Sequence, residues 1–66
     1  MTLNEFINHL KHKTIGLAIF YRGKIIYTGT VGSYVHWANR SKFDNYGIDK
    51  IIPYKPDVLV ISISKA

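Results

Sequence analysis

Two histidines near the start of the chain have a spacing that could bind a metal. His9 and His12 lie three residues apart, and on a helix that spacing places two imidazoles side by side on one face. A metal site needs a third ligand, and the remaining histidine, His36, is distant in the sequence. Cysteine is absent, which excludes thiolate zinc sites, disulfides and thiol catalysis. We therefore predict no metal site and expect the histidines at surface or boundary positions.

The carboxylates do not suggest an acid–base pair. Glu5 fits a helix cap and Asp57 follows Pro56 in a turn, so Asp44 and Asp49 remain, five residues apart. Acid–base catalysis needs two carboxylates in different environments of one cleft. The sequence also contains no nucleophile elbow and no glycine-rich phosphate loop. We predict that the protein is not an enzyme and has no catalytic residues and no cofactor.

Positive charge is a second feature with chemical consequences. Nine Lys and Arg against four Asp and Glu give a net charge of +5. Positive charge and aromatic rings on one face are what single-stranded nucleic acid requires. The basic residues are nevertheless spread along the chain, without an RNP motif, a helix-turn-helix or a zinc finger. Nucleic-acid binding is the alternative hypothesis, and its candidate residues are Lys11, Lys13, Arg22, Lys24, Arg40 and Lys42.

Aromatic and aliphatic side chains favour a different function, a protein–protein interaction module. Trp37 flanks the apolar stripe of a predicted helix, where it is either half-buried core or a surface anchor of the kind that dominates interface energetics. Both interpretations stay open at this point. The first predicted hairpin is apolar on both faces, so one face is left for a partner. The candidate partner-binding residues are Phe20, Ile25, Tyr27, Tyr34, Trp37 and Phe43.

A helix and a β-hairpin are predicted in the first half of the chain. Thr2 and Glu5 form a capping box in front of apolar residues at helical spacing. Residues 14–21 and 24–31 then alternate as two strands around the Arg22-Gly23 turn. Arg is unfavourable at the first position of a type I′ turn, so a bulged turn is the alternative. Across this hairpin we expect two apolar pairs, Phe20 with Ile25 and Ile19 with Ile26.

The second half of the chain predicts another helix and another hairpin. Helical spacing covers residues 30–39, a polar turn covers residues 40–47, and strands follow at 48–54 and 58–64. Pro53 cannot donate to a ladder, which suggests an edge or the end of a strand. The predicted fold is one α+β domain, residues 1–66, of order α-β-β-α-β-β. Its sheet is mainly antiparallel with the helices packed on one face, and the strand order is left open.

The helix, the hairpin over residues 18–29 and the closing strand over residues 57–63 resemble small proteins of Gram-positive phages, prophages and mobile elements. Such proteins combine a helix, an aromatic-x-Gly-x-x-aromatic-x-Gly hairpin, a short helix and a last strand rich in Val and Ile. The likeness covers nearly the whole chain but rests on structural motifs, so it implies no active site. These proteins are commonly acidic, and the charge of +5 departs from that pattern.

The sequence also predicts where the protein works and what it meets. The first residues carry an acid where a signal peptide would be basic, and the longest apolar runs fall far short of the ~20 residues of a spanning helix. We expect a soluble cytoplasmic protein without membrane binding. Its expected partners are a second copy, a host or phage protein, or nucleic acid.

Self-association is the most specific of these expectations. Two short helices cannot cover both faces of a four-stranded sheet, so strand edges or an apolar face should pair two copies. If Ile19 and Ile26 face the helices, then Phe20, Ile25 and Tyr27 remain outside. Substitution of Lys for Phe20 or for Tyr27, depending on the exposed face, should then give a folded monomer.

Overall fold

The structure, a computed structural model, describes residues 1–65 and has the predicted α+β class. The sequence forms three short helices and four strands instead of two helices and four strands. In chain order the elements are α1 (Leu3–His9), β1 (Gly16–Tyr21), β2 (Lys24–Thr30), α2 (Val31–Tyr34), α3 (Arg40–Phe43), β3 (Gly47–Lys55) and β4 (Val58–Ser64).

The four strands form one mixed sheet in the order β2-β1-β4-β3. Both hairpins are antiparallel, while the central strands β1 and β4 run parallel, with Gly16 opposite Val58 and Ile19 opposite Ile61. The first and last strands of the chain therefore lie side by side in the middle of the sheet. Strands β2 and β3 form its two edges.

Helix α1 begins at the predicted capping box. The Thr2 hydroxyl accepts a hydrogen bond from the Glu5 amide at 3.2 Å, and the Glu5 carboxylate accepts one from the Thr2 amide at 2.8 Å. Both amides would otherwise be unpaired at the helix start. The helix buries Leu3 and Ile7 and ends at His9, and the backbone of the following residue, Leu10, is already extended.

The first hairpin is confirmed, with a tight turn and one irregularity. Arg22 and Gly23 both have positive φ, 55° and 77°, as a type I′ turn requires. Phe20 lies opposite Ile25 as predicted, but a bulge shifts the register so that Ile19 lies opposite Tyr27. The prediction that Ile19 pairs with Ile26 is therefore wrong.

The bulge also changes which face of the hairpin Tyr27 occupies. A bulge places two residues opposite one, so alternation of side chains is interrupted. As a result Tyr27 is buried and Ile26 is half-buried against the same core. The expectation that Tyr27 stays outside with Phe20 and Ile25 is wrong for this reason, and Lys at position 27 would damage the core.

The predicted helix over residues 30–39 is wrong in length, because only the single turn of α2, Val31–Tyr34, forms there. Thr30 and Ser33 form a capping box for α2, but the poor helix formers Val31 and Gly32 favour only a short helix. The predicted polar turn over residues 40–47 contains α3, which the ion pair between Arg40 and Asp44 spans. Breaking the helix lets aromatic side chains from both turns enter one core.

Strand β3 runs through Pro53 and ends at Lys55. An edge strand can accommodate proline where its missing amide would face solvent, so the predicted edge position is correct. The last strand matches its predicted bounds, Val58–Ser64.

One core joins the helices to the sheet. Leu3 and Ile7 of α1 and Tyr34 of α2 belong to the same buried cluster as Ile19 and Ile61, which pair on the central strands. Each large side chain buried in this way contributes roughly 1.5–3 kcal/mol. The full buried set is Leu3, Ile7, Leu17, Ile19, Tyr27, Val31, Tyr34, Phe43, Ile61 and Ile63.

Candidate protein-binding face

The strand residues that alternate with the core set form a second, largely apolar surface, called here the open face. The strand registers arrange it in three rows that each cross the sheet from β2 to β3. Alternation of side chains places these residues on the side away from Leu17, Ile19 and Ile61. The rows are Ile25-Phe20-Ser62-Lys50, then Thr28-Ala18-Val60-Ile52, then Thr30-Gly16-Val58-Lys55, with Tyr54 in a bulge beside the last.

The open face contains a concavity of about 470 Å³. Its floor is made of small side chains, because Gly16 and Ala18 stand next to Val58 and Val60 on the two central strands. Larger side chains border it at opposite corners, among them Phe20 on β1. Every residue that lines the concavity lies in a strand: Gly16, Leu17, Ala18, Phe20, Ile25, Thr28, Gly29, Tyr54, Val58 and Val60.

Several large side chains of this surface are exposed. Ile25 is 56% exposed, Ile52 52% and Tyr54 69%. Apolar side chains of this size are costly to leave in water, at about 25 cal/mol per Å² of surface. Ile25 and Tyr54 line the concavity, and Ile52 lies next to Val60 on the same face. Exposed apolar patches of this kind are frequent at interaction sites.

Positive charge surrounds the open face. Lys50 and Lys55 stand on it at β3, and the Lys55 ammonium lies 5.6 Å from the Tyr54 ring centre. At the hairpin end, Arg22 and Lys65 line a polar groove of about 350 Å³ that adjoins the face at Ser62. In the described part of the chain, the one ion pair within 4.0 Å is Arg40 with Asp44.

One carboxylate lies in the hairpin-end groove. Asp49 accepts a hydrogen bond from the Ser64 hydroxyl at 2.9 Å. The groove thus combines two cations with one anion. This mixture makes it a polar border of the open face.

The structure divides the six predicted partner-binding residues into two groups. Phe20 and Ile25 lie on the open face, paired across β1 and β2. The other four belong to an aromatic cluster at the core, in which Trp37 is half-buried and stacks on Phe43 with ring centres 5.6 Å apart. Three of the four are buried and give a partner no surface: Tyr27, Tyr34 and Phe43.

A polar network holds this cluster in place. The Tyr34 hydroxyl donates to Asp44 Oδ1 at 2.7 Å, and Arg40 Nε donates to Asp44 Oδ2 at 3.2 Å. Arg40 also reaches Asn4 Oδ1 at 3.1 Å and so joins α3 to α1. Burial, together with the Asp44 carboxylate, raises the pKa of Tyr34 well above its ordinary value, so this hydroxyl stays a donor.

The six predicted nucleic-acid-binding residues lie in three separate places. Lys11 and Lys13 are in the segment before β1, whereas Arg22 and Lys24 are at the hairpin turn, at the other end of the same strand. Six strand residues separate these two ends by roughly 20 Å. The last two, Arg40 and Lys42, are on α3, where the network above already uses Arg40.

The remaining chemical groups form no further site. His9 Nδ1 lies 2.6 Å from the Glu5 carbonyl oxygen within α1. Across residues 1–65, no three His, Cys, Asp or Glu side chains group closely enough to hold a metal ion. In the same residues, no helix has the length and apolar character to cross a membrane.

Sequence reasoning missed half of the open face. It named Phe20 and Ile25 but omitted Ile52, Tyr54 and the valines of β4. The available signal was the alternation of Val58, Val60 and Ser62, which defines a second face of the last strand. Its importance depends on β4 lying next to β1, and this pairing joins residues about forty positions apart.

Comparison with protein-family models, with curated proteins and with solved structures finds no match.

Proposed function

We propose that this protein is an interaction module that binds another protein through the open face of its sheet. The observation that carries the proposal is the apolar concavity of about 470 Å³, lined entirely by strand residues and bordered by exposed Tyr54 and Ile25. Apolar surface of this kind is stabilised when a partner removes it from water. Aromatic side chains at its border, such as Phe20 and Tyr54, are typical of interface hot spots.

The charges indicate an acidic partner. Lys50 and Lys55 stand on the face, and Arg22 and Lys65 border it at the hairpin end. The rim thus carries these four cations and one anion, Asp49, and an excess of positive charge speeds the encounter with acidic partners and disfavours basic ones. The partner that fits is therefore a protein with an apolar patch surrounded by Asp and Glu, such as a host or phage protein.

Nucleic-acid binding is the second candidate, and the basic groove with Arg22 and Lys65 favours it. Stacking of successive bases requires neighbouring aromatic platforms. Phe20 on the central strand β1 and Tyr54 on the edge strand β3 lie two strands apart and about four residues apart along the sheet. These spacings separate them by roughly 15 Å. Aliphatic side chains such as Val60 lie between them, and this arrangement suits a protein surface better than single-stranded bases.

Capture from a cell lysate with two matched variants tests the proposal. Ile52 and Ile51 are adjacent on β3 and similarly exposed, 52% and 41%, but they point to opposite faces because Ile52 pairs with Val60 and Ile51 with Ile61. Ile52→Glu places a repulsive charge on the open face, while Ile51→Glu places the same charge on the other side. We expect an acidic protein to be retained by the original chain and by Ile51→Glu but lost from Ile52→Glu.

Varying the salt concentration and adding nuclease distinguish an acidic protein partner from nucleic acid. Retention that weakens with salt and survives nuclease treatment supports an acidic protein partner. Retention that nuclease abolishes supports the nucleic-acid candidate instead. Equal retention by both variants contradicts binding through the open face.

A further inference from the structure

The two edges of the sheet differ in how well they are protected against pairing with another strand. Edge β3 carries Pro53, two lysines and two register irregularities, all features that prevent edge-to-edge pairing. Edge β2 carries a single charge, Lys24, at its first position, followed by six uncharged residues without proline. Edge β2 is therefore ready to accept a further strand.

One hydrogen bond shows which amides of β2 point outward. The Thr30 amide donates to the Ser33 hydroxyl at 3.0 Å, so it faces away from β1. Amides alternate along a strand, which directs Gly29 toward β1 and Thr28 outward. The bulged residues Ile26 and Tyr27 lie together opposite Ile19, so both take one position in the alternation of amides and point toward β1. The next amide that points outward is that of Ile25.

We propose that two copies of this chain pair through their β2 edges, antiparallel and related by a two-fold axis. Residues opposite one another in a sheet must point to the same face. Because of the bulge, Ile25 and Thr28 point to the open face, while the two residues between them point to the core side. The pattern of side-chain directions over residues 25–28 is therefore the same when it is read from either end. A register that places Ile25 opposite Thr28 of the second copy satisfies this condition at every position of residues 24–29, the longest stretch of β2 that can pair in this way.

This register is also good for hydrogen bonds and charge. Ile25 and Thr28 both have outward amides and lie opposite each other in this register, so each pair exchanges two hydrogen bonds and the dimer gains four. The outward amide of Thr30 is already bonded to the Ser33 hydroxyl. On the helix side, Ile26 meets Tyr27 of the second copy. Lys24 lies opposite Gly29 of the second copy, so no like charges face each other. Self-complementarity of this kind favours a second copy over a foreign strand.

The dimer deepens the proposed function but uses a different surface. Pairing of β2 edges produces a continuous eight-stranded sheet and joins the two open faces into one apolar surface. The lysines of β3 stay at its outer borders. Loss of edge pairing leaves each open face intact, so the two proposals can fail separately.

A concentration series followed by NMR amide exchange and by sedimentation tests the dimer. We expect a change from monomer to twice the 7.6 kDa mass over roughly micromolar to millimolar concentrations, because the paired edge is smaller than a standard interface. Over the same range the Ile25 and Thr28 amides should become protected from exchange. Trp37, the chain's one tryptophan, lies 5.0 Å from the Tyr27 ring and should change its fluorescence in parallel.

Two substitutions at one position provide the control. Thr28→Pro removes an outward amide at an edge position where proline can be accommodated, and it should weaken dimerisation by about tenfold or more. Thr28→Val keeps the amide and should dimerise like the original chain. Monomeric sedimentation of the unmodified protein throughout the series, with no change at the two amides, overturns the proposal. Pairing that protects the β3 amides instead overturns it equally.

Discussion

The two faces of the sheet come from the same strands but differ in what fills them. On the core side, Leu17, Ile19 and Ile61 meet the side chains of the helices and are almost fully buried. On the open face, Ala18 and Val60 occupy the central positions, and the large side chains stand at the border. On the core side, the side chains of the strands and helices fill the space between them. On the open face, small residues at the centre and large residues at the border leave a concavity. The packing that stabilises the fold thus lies on one side of the sheet, and the binding surface that we propose lies on the other.

The two faces should differ most in how much a truncated side chain lowers the free energy of unfolding. Ile19→Ala on the core side should lower the free energy of unfolding by about 2–5 kcal/mol, because it removes buried methylenes and leaves a cavity. The same truncation on the open face, Ile52→Ala, should cost clearly less, because Ile52 is 52% exposed. Urea unfolding of both variants measures the difference. Equal costs would mean that both faces are packed alike.

A smaller effect is expected where polar groups support the core. Tyr34→Phe removes the hydroxyl that donates to Asp44 Oδ1 and should destabilise the protein by about 1.5–3 kcal/mol, the value for hydrogen bonds to charged groups. Urea unfolding near neutral pH gives this value. A variant as stable as the original would show that Arg40 alone satisfies Asp44.

The same substitution predicts a change at alkaline pH. The pKa of Tyr34 is raised in the folded state, so its contribution to stability is complete below the ordinary tyrosine value near 10 and is lost as the pH rises toward the folded value. The unmodified protein should therefore lose stability above about pH 10 more steeply than Tyr34→Phe. Thermal unfolding across that range, compared between the two proteins, measures the slopes.

The cap of α1 positions Leu3 and Ile7 on the core side, and its loss should lower the free energy of unfolding by a smaller amount. Thr2→Ala should destabilise the protein by about 1 kcal/mol through the lost bond to the Glu5 amide. The pKa of Glu5 is lowered by the Thr2 backbone and side chain, so its contribution is present above the unfolded value and lost on acidification. The stability difference between the original chain and Glu5→Gln should accordingly shrink below about pH 4.

The smallest expected effect belongs to the open face. Ile52→Glu should change the free energy of unfolding by about 0.5–1 kcal/mol, because the side chain is half-exposed on an edge strand. Ile51→Glu should behave similarly. Urea unfolding of the pair decides whether a loss of partner binding by one of them reflects the surface. A much larger cost for Ile52→Glu would show that the open face contributes to stability.

Several local features of this fold could be predicted from the sequence, although the helix over residues 30–39 could not, and the long-range features were left open. The Thr2–Glu5 cap and the Arg22-Gly23 turn depend on neighbouring residues, and both were predicted. The parallel contact of β1 with β4 depends on residues distant in the chain, and the strand pattern alone left it open. The bulge at β2 arises where Tyr27 packs into the core, so the period-two pattern gave the wrong face for that residue.

The candidate site followed the same division. The pairing of Phe20 with Ile25 could be predicted because it depends only on a two-residue turn. Val58 and Val60 were missed because they join the open face only when β4 lies beside β1. The aromatic residues Tyr34 and Phe43 were weighed as surface anchors, although a domain of this size needs them for its core.

The most direct test of the open face as the binding surface is photo-crosslinking from two positions. A photoreactive phenylalanine replaces Tyr54, which borders the concavity, or Val35, which is exposed after α2. If the open face binds an acidic protein, we expect nuclease-treated lysate to give a crosslinked acidic protein from position 54 and none from position 35. A product from position 35 alone, or equal products from both positions, would contradict it.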